Sequence, residues 1–518
     1  MHTRTEIPID AQDIGAYGEI APLQEPIPAE RQAARRHYGV HPYFTRRPSN
    51  VVRRYILHYS KAGDRVLDPF GGSGVTAIEA FLENRVGIQN DINPLANFIA
   101  CGIADLGKGD IGNHRRALGE LRDECRTRLM DIQTMDENAL IALQPCLSLP
   151  KNVRLPSNAD VEWYHDLFSS RQLVSLAVLK SAIDSLEDAY ARKAMLMAWS
   201  ATLTKLNKTF LSAAGRAESR GGSSIFSIYR YKVAKHPVEL PPWDTFEERA
   251  RNVLAAKIEI DKLIEIKRRS GDWHGRFEAH AKDIEELEDD FRDQIDYIFT
   301  DPPYGGHISY LDLSTLWNVW LDQMPSMEAR KRELIVGGEL KHAEETYIRR
   351  LSKSIRACIN MLKEGRWLSV VFQHWNVAYF EAILTAAAEA GAELKAAVSQ
   401  VGDPIWSMHK KKRNESVLAG ELILTFYKTG TPQPIAKSSN FDVSRAVGEI
   451  LASSPPQVYG ESLFNRIVIE AWRKSAIRAL DISKTDFIRI VRQHGWQYDE
   501  NHHYWVRETD PRATLFSM

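Results

Sequence analysis

Cysteine is scarce in this sequence. Four thiols, Cys101, Cys125, Cys146 and Cys358, are scattered through 518 residues with no C-x-x-C pair among them. That spacing excludes a disulfide framework and a thiolate zinc site, and the four read as reduced core residues. His307, His374 and His409 lack the spacing of a metal site, so they read as polar lining or surface and no metal is expected. No apolar run approaches a membrane span, and the opening MHTRTEIPID lacks the basic and apolar blocks of a signal peptide. The expected location is cytoplasmic. Net charge is missing too: 67 Lys and Arg face 68 Asp and Glu, leaving −1. This speaks against a histone-like coat on nucleic acid but leaves room for a local basic stripe. Arg35, Arg36, Arg46, Arg47, Arg53 and Arg54 form one cluster and HKKKR at 409–413 another, each with a solvated face as its bland alternative. Internal repeats are also lacking.

What is present is a globular composition, 44% apolar and 26% charged, in a chain too long for one ordinary core. Two or three domains are expected. Residues 1–34 read as an extended arm. From Asp64 the pattern becomes strand, glycine turn, helix, strand (DRVLDPF, GGSG, VTAIEAFLE, VGIQND), the opening of a parallel α/β sheet. Residues 106–276 lose the strand signal and predict a mostly helical insertion, with an amphipathic helix near 245–268. Strand character returns at 294–300 and 366–375. A helix at about 378–390 follows, then ELKAAVSQ and LAGELILTFYK as an antiparallel pair closing the sheet. TPQPIAKSSN reads as a linker, and 440–518 as a small C-terminal α or winged-helix-like domain.

Two stretches carry chemistry. In DPFGGSG, Asp68 to Gly74, the glycines allow a tight turn and let a ligand lie against main-chain N–H groups at a helix start. Seventeen residues after Gly74, Asp91 ends the next strand, where an acid suits two ribose hydroxyls. No G-K-[ST] follows, so a nucleoside-type cofactor is expected rather than a nucleoside triphosphate. In IDYIFTDPPY a buried strand ends in Asp301, Pro302, Pro303 and Tyr304. A proline turn with a surface tyrosine is the plain alternative. If DRVL and DYIFT are neighbours at the switch point of the sheet, both motifs face one cleft.

Together these motifs resemble the S-adenosylmethionine-dependent amino-methyltransferases, chiefly the DNA adenine-N6 and cytosine-N4 enzymes. The resemblance covers residues 35–105 and 277–430, and implies a Rossmann-like class I methyltransferase sheet, mostly parallel with an antiparallel last strand. It implies S-adenosyl-L-methionine as cofactor, held by Asp68, Phe70, Gly72, Gly74, the ribose acid Asp91 and the adenine-contacting acid Asp283. Phe44 and Thr45, from HPYFTRRP, would embrace the methionine end. Asp301, Pro302, Pro303 and Tyr304 would be catalytic, acting on the exocyclic amine of a base rotated out of DNA. Asp rather than Ser at 301 leans toward adenine-N6 over cytosine-N4. The resemblance implies DNA as partner, in a restriction-modification or phage-defence setting with a nuclease or defence subunits, and no membrane. A tRNA guanine-N2 methyltransferase and an inactive nucleic-acid-binding module of the same fold are the alternatives. The acid block follows the insertion here, a departure from the usual order. Pro145-Cys146, a pair also found in cytosine-C5 enzymes, lies outside any companion motif and reads as coincidence. Target recognition is expected mainly from the insertion, through Arg216, Arg220, Tyr229, Arg230, Tyr231 and Lys232, with Arg473, Lys474, Arg492 and Trp496 in the C-terminal piece.

Overall fold

A computed structural model describes residues 17–30, 35–211, 222–306, 308–400, 421–433, 440–480, 482–499 and 504–507. Residues 17–30 have little regular structure and are pinned to the sheet: the Trp367 indole donates to the Tyr17 carbonyl and the Leu23 amide to the Tyr59 hydroxyl. Helix α1 (Ser49–Tyr59) repeats apolar residues on one face, and its Tyr55 and Tyr59 pack on Phe299 and Tyr297. Strand β1 (Arg65–Asp68), helix α2 (Val75–Leu82), strand β2 (Val86–Asn90) and helix α3 (Pro94–Asp105) follow. Asn93 caps α3 and Pro94 opens it, a helix start legible in the sequence.

Next come α4 (Ile111–Thr134), α5 (Glu137–Leu143), α6 (Ser170–Asp184) and α7 (Ala189–Thr202). A two-residue ladder of β3 (Phe210–Leu211) and β4 (Gly222–Ser223) leads to α8 (Ser224–Ser227) and the long α9 (Pro242–Arg269). This stretch is mostly helical, and its apolar faces share one contiguous core with α1 and one face of the sheet.

The sheet resumes with β5 (Arg276–His280), α10 (Ile284–Phe291) and β6 (Ile295–Thr300). Short helices α11 (Tyr310–Leu313), α12 (Thr315–Asn318) and α13 (Met327–Arg332) precede α14 (Glu344–Met361), β7 (Leu362–Phe372), α15 (Val377–Glu389), β8 (Ala392–Gln400) and β9 (Glu421–Lys428). Strand order is β5-β2-β1-β6-β7-β9-β8, with β9 antiparallel to both neighbours and the pairs from β5 to β7 parallel. It is a mixed, mostly parallel Rossmann-like α/β sheet. The winding reverses between β1 and β6, where Val66 pairs with Tyr297, so the two motif loops leave adjacent strands. The edge strand β5 was not expected: RFEAH has no apolar run, because among the described residues only β2 pairs with it and none of its five residues is buried.

The C-terminal unit runs α16 (Val443–Ala452), β10 (Gln457–Tyr459), α17 (Gly460–Arg473), α18 (Lys484–Gln493), β11 (Trp496–Asp499) and β12 (Tyr504–Arg507). Its strands form an antiparallel sheet of order β10-β12-β11. It packs on the second face of the large sheet, in one core with α10, α14 and α15. Among the described residues no helix is long and apolar enough to cross a membrane.

Candidate active site

The loop after β1 is held by its own first residue. Asp68, buried, accepts from the Phe70 amide at 3.1 Å and from the hydroxyls of Thr76 and Thr300 at 2.8 Å each. Burial raises its carboxyl to about 7 against the pull of these donors. Asp68 therefore fastens the glycine turn to the end of β6. Gly72 has φ +52 and donates its amide to Asp91 at 2.8 Å; a Cβ there would meet the Tyr43 ring at 3.2 Å. Gly74 has φ +89, and a Cβ there would come within 2.6 Å of the Ala100 methyl, so its bareness lets α2 pack on α3.

At the end of β6, Asp301 is ringed by donors. Its Oδ2 accepts from Arg47 Nε at 2.5 Å, and Oδ1 accepts from the Tyr304 hydroxyl. Arg47 also donates to the Tyr304 oxygen at 2.7 Å and pairs with Glu421, the first residue of β9, at 2.5 Å. Burial raises Asp301, while Arg47 and Tyr304 draw it back down. The Tyr304 ring stands edge-on to Phe372, with centroids 5.1 Å apart. The Pro303 carbonyl is taken by the Tyr347 hydroxyl at 2.5 Å.

Between the two loops lies a cavity of about 440 Å³, of the size that holds a small cofactor. Its wall includes Thr45, Asp68, Phe70, Gly72, Asp91, Asp283, Asp301 and Pro303. The Asp91 carboxylate accepts from the Gly72 and Asn93 amides, and burial lifts it to about 6. Asp283 caps α10, and Asn90 aligns its loop by accepting from the Lys282 amide and donating to the Pro69 and Lys282 carbonyls. Glu333 also faces the cavity; its carboxylate accepts the Leu311 amide, and burial lifts it to about 8.

Residues 24–100 match the family model N6_N4_Mtase, described as DNA methylase. The match spans α1, β1, the glycine turn, α2, β2 and the start of α3. Over this segment the chain is similar to the adenine-N6 and cytosine-N4 DNA methyltransferases. No curated protein matches the chain. DNA methylases of this family use S-adenosyl-L-methionine, and the cavity suits it. Two carboxyls raised by burial, Asp91 and Glu333, face a space where a positively charged cofactor would favour their ionised forms. Gly72 leaves room for close approach.

Some expectations need correction. Phe44 does not line the cavity; it sits at a bend and is buried against Phe226, Tyr310 and Trp317, while its neighbours Tyr43 and Thr45 face the cavity. Gly74, Pro302 and Tyr304 are not part of the cavity lining, and the loop after β6 borders it through Asp301 and Pro303. Three of the early arginines are engaged within the fold: Arg46 donates to Ser73 and to the Tyr38 and His41 carbonyls, Arg47 holds Asp301, and Arg53 pairs with Glu83. Tyr231 is fully buried, donating to the Leu313 carbonyl, and Trp496 is buried as well. Arg216, Arg220, His307 and 409–413 lie outside the described residues. Cys146 is exposed in a short turn apart from the cavity. Arg47 and Glu333 were missed as site residues; the first was visible only as one charge in a run, and the second has no motif.

Proposed function

We propose that the protein transfers a methyl group from S-adenosyl-L-methionine to the exocyclic N6 of adenine in DNA, on a base rotated out of the duplex. The reading rests chiefly on one observation: the Asp301–Tyr304 loop and the Asp68–Gly74 loop leave neighbouring parallel strands and border one cavity with Asp91 and Asp283. When bound, the cofactor supplies a methyl already activated on sulfur. Asp283 would accept from its adenine amine and Asp91 from its ribose hydroxyls, with Thr45 and Tyr43 toward the methionine end.

The remaining work belongs to the chain. An exocyclic amine is a weak nucleophile because its lone pair is delocalised into the ring. A carboxylate has about four acceptor sites, so Asp301 can take an amine N–H besides those from Arg47 and Tyr304. The Pro303 carbonyl is already engaged, which leaves the Pro302 carbonyl for the second N–H. Two acceptors on one amine favour a pyramidal nitrogen with its lone pair aimed at the methyl. Tyr304 offers a ring against which the extruded base can stack, offsetting part of the few kcal/mol of unstacking. The aspartate at 301, where serine would suit cytosine-N4 chemistry, carries the adenine assignment. Phe226 of the insertion touches Phe44 at 5.5 Å, which supports a target-reading role for the insertion beside the cleft. The resemblance supports a restriction-modification or phage-defence setting.

Tritium transfer from labelled cofactor to duplex DNA, tRNA and protein, followed by nucleoside analysis, is the test. The expected product is N6-methyladenine in DNA. Label in N4-methylcytosine would reassign the base, and label in tRNA alone would overturn the reading.

A further inference from the structure

We infer that helix α18 is a second DNA contact, entering the major groove of the duplex that flanks the target base; this rests on the DNA methyltransferase reading. The C-terminal unit has the order helix, strand, helix, helix, strand, strand, with its first strand paired to its last. That is the order of a winged helix, whose second and third helices form a helix-turn-helix with the later one free to enter a groove. In α18 the sequence separates two faces. Phe487 and Val491 are buried, while Thr485, Ile488, Arg489, Arg492 and Gln493, at positions i, i+3, i+4, i+7 and i+8, line one surface groove. These side chains match what base edges offer: Arg to guanine, Gln to adenine, and Thr or Ile to the thymine methyl. Among its charged residues, Lys484, Arg489 and Arg492 outnumber Asp486, so the helix complements a polyanion. Arg489 is held by Asp486 at 3.0 Å on an exposed surface, a pair weak enough to exchange for DNA.

Position supports the same occupant. The residues after β7 join the catalytic loop to this unit. His374 lies beside Gly305, where an added methyl would be 3.7 Å from its Nε2. Trp375 stacks on Phe464 at 4.0 Å, meets Phe487 edge-on at 5.6 Å and donates to the Ile482 carbonyl. Only two consecutive residues therefore separate the loop after Tyr304 from the base of α18. The unit that carries α18 is thus fastened next to the Asp301–Tyr304 loop, so that duplex flanking a base at Asp301 is the part of the DNA closest to it.

The test uses the full chain and measures binding without methyl transfer, by anisotropy of labelled duplexes of about 12 and about 40 base pairs, one and four turns. Arg489→Ala/Arg492→Ala is expected to raise Kd for the long duplex roughly tenfold or more. It should also reduce the salt slope by about 1–2 and leave affinity for the short duplex unchanged. Arg489→Lys/Arg492→Lys should restore affinity but not sequence preference, because lysine cannot make the bidentate contact. Unchanged affinity and slope in the alanine variant would overturn the inference. So would a variant that binds DNA normally but loses self-association, which would make this face a protein contact. A chain that loses duplex binding with these arginines yet methylates no DNA supports the inference and overturns the methylation reading.

Discussion

Burial alone would tend to protonate Asp301, and a protonated carboxyl is a poorer acceptor for an amine. Arg47, at 2.5 Å, opposes that shift, with Tyr304 adding a second donor. Arg47→Ala should therefore raise the Asp301 pKa, and the acid limb of the pH–kcat profile should move to higher pH. Arg47→Lys should move it less, and a profile that stays put would show that Arg47 only packs. Asp301→Asn keeps the shape but not the charge, and is expected to lower methyl transfer by at least about 100-fold. Cofactor affinity, followed by calorimetry, should stay within a few-fold. Asp91 and Glu333 give a separate signature. Both are raised, to about 6 and about 8, so each is partly protonated below those values. A cationic cofactor draws them toward ionisation, so its binding should release protons and strengthen as pH rises from about 6 to 8. Calorimetry in buffers of different ionisation heat measures that release, and Glu333→Gln should flatten its upper part. The motifs made Asp301 and Asp91 legible from sequence. Arg47 and Glu333 were not, because their roles come from partners 254 and 22 residues away.

At the scale of elements, the strand–turn–helix–strand opening and the β6 strand were legible because apolar runs and glycines mark them. β5 was hidden by its polar edge position, and the inward side of HPYFTRRP could not be assigned without knowing its register. Helices α2 and α3 touch where Gly74 meets Ala100. Gly74→Ala combines a left-handed φ of 89 with a methyl 2.6 Å from another. It should lower stability by about 1–3 kcal/mol, read as a fall in the denaturation midpoint at unchanged m-value. At Gly72, where the near atom is the Tyr43 ring at 3.2 Å, alanine should instead weaken cofactor binding more than it destabilises the fold.

For the whole molecule, the neighbouring strands of the switch point are far apart in the chain. Val66 pairs with Tyr297, and Thr300 reaches Asp68 across 232 residues. At about 5–20 residues per second, a ribosome needs roughly 10–50 seconds between delivering β1 and delivering β6. During that interval β1 and β2 have an open edge, whereas helices α4 to α9 can already find one another through nearer contacts. Pulsed hydrogen exchange during refolding should accordingly protect α6, α7 and α9 before the amides shared by β1 and β6. Simultaneous protection would show that the sheet does not wait. The position of the insertion thus sets a timetable. Most of the insertion proposed to read a target can be in place before the carboxylate proposed to act on it has been synthesised, so a ribosome stalled before residue 300 leaves a chain without Asp301–Tyr304.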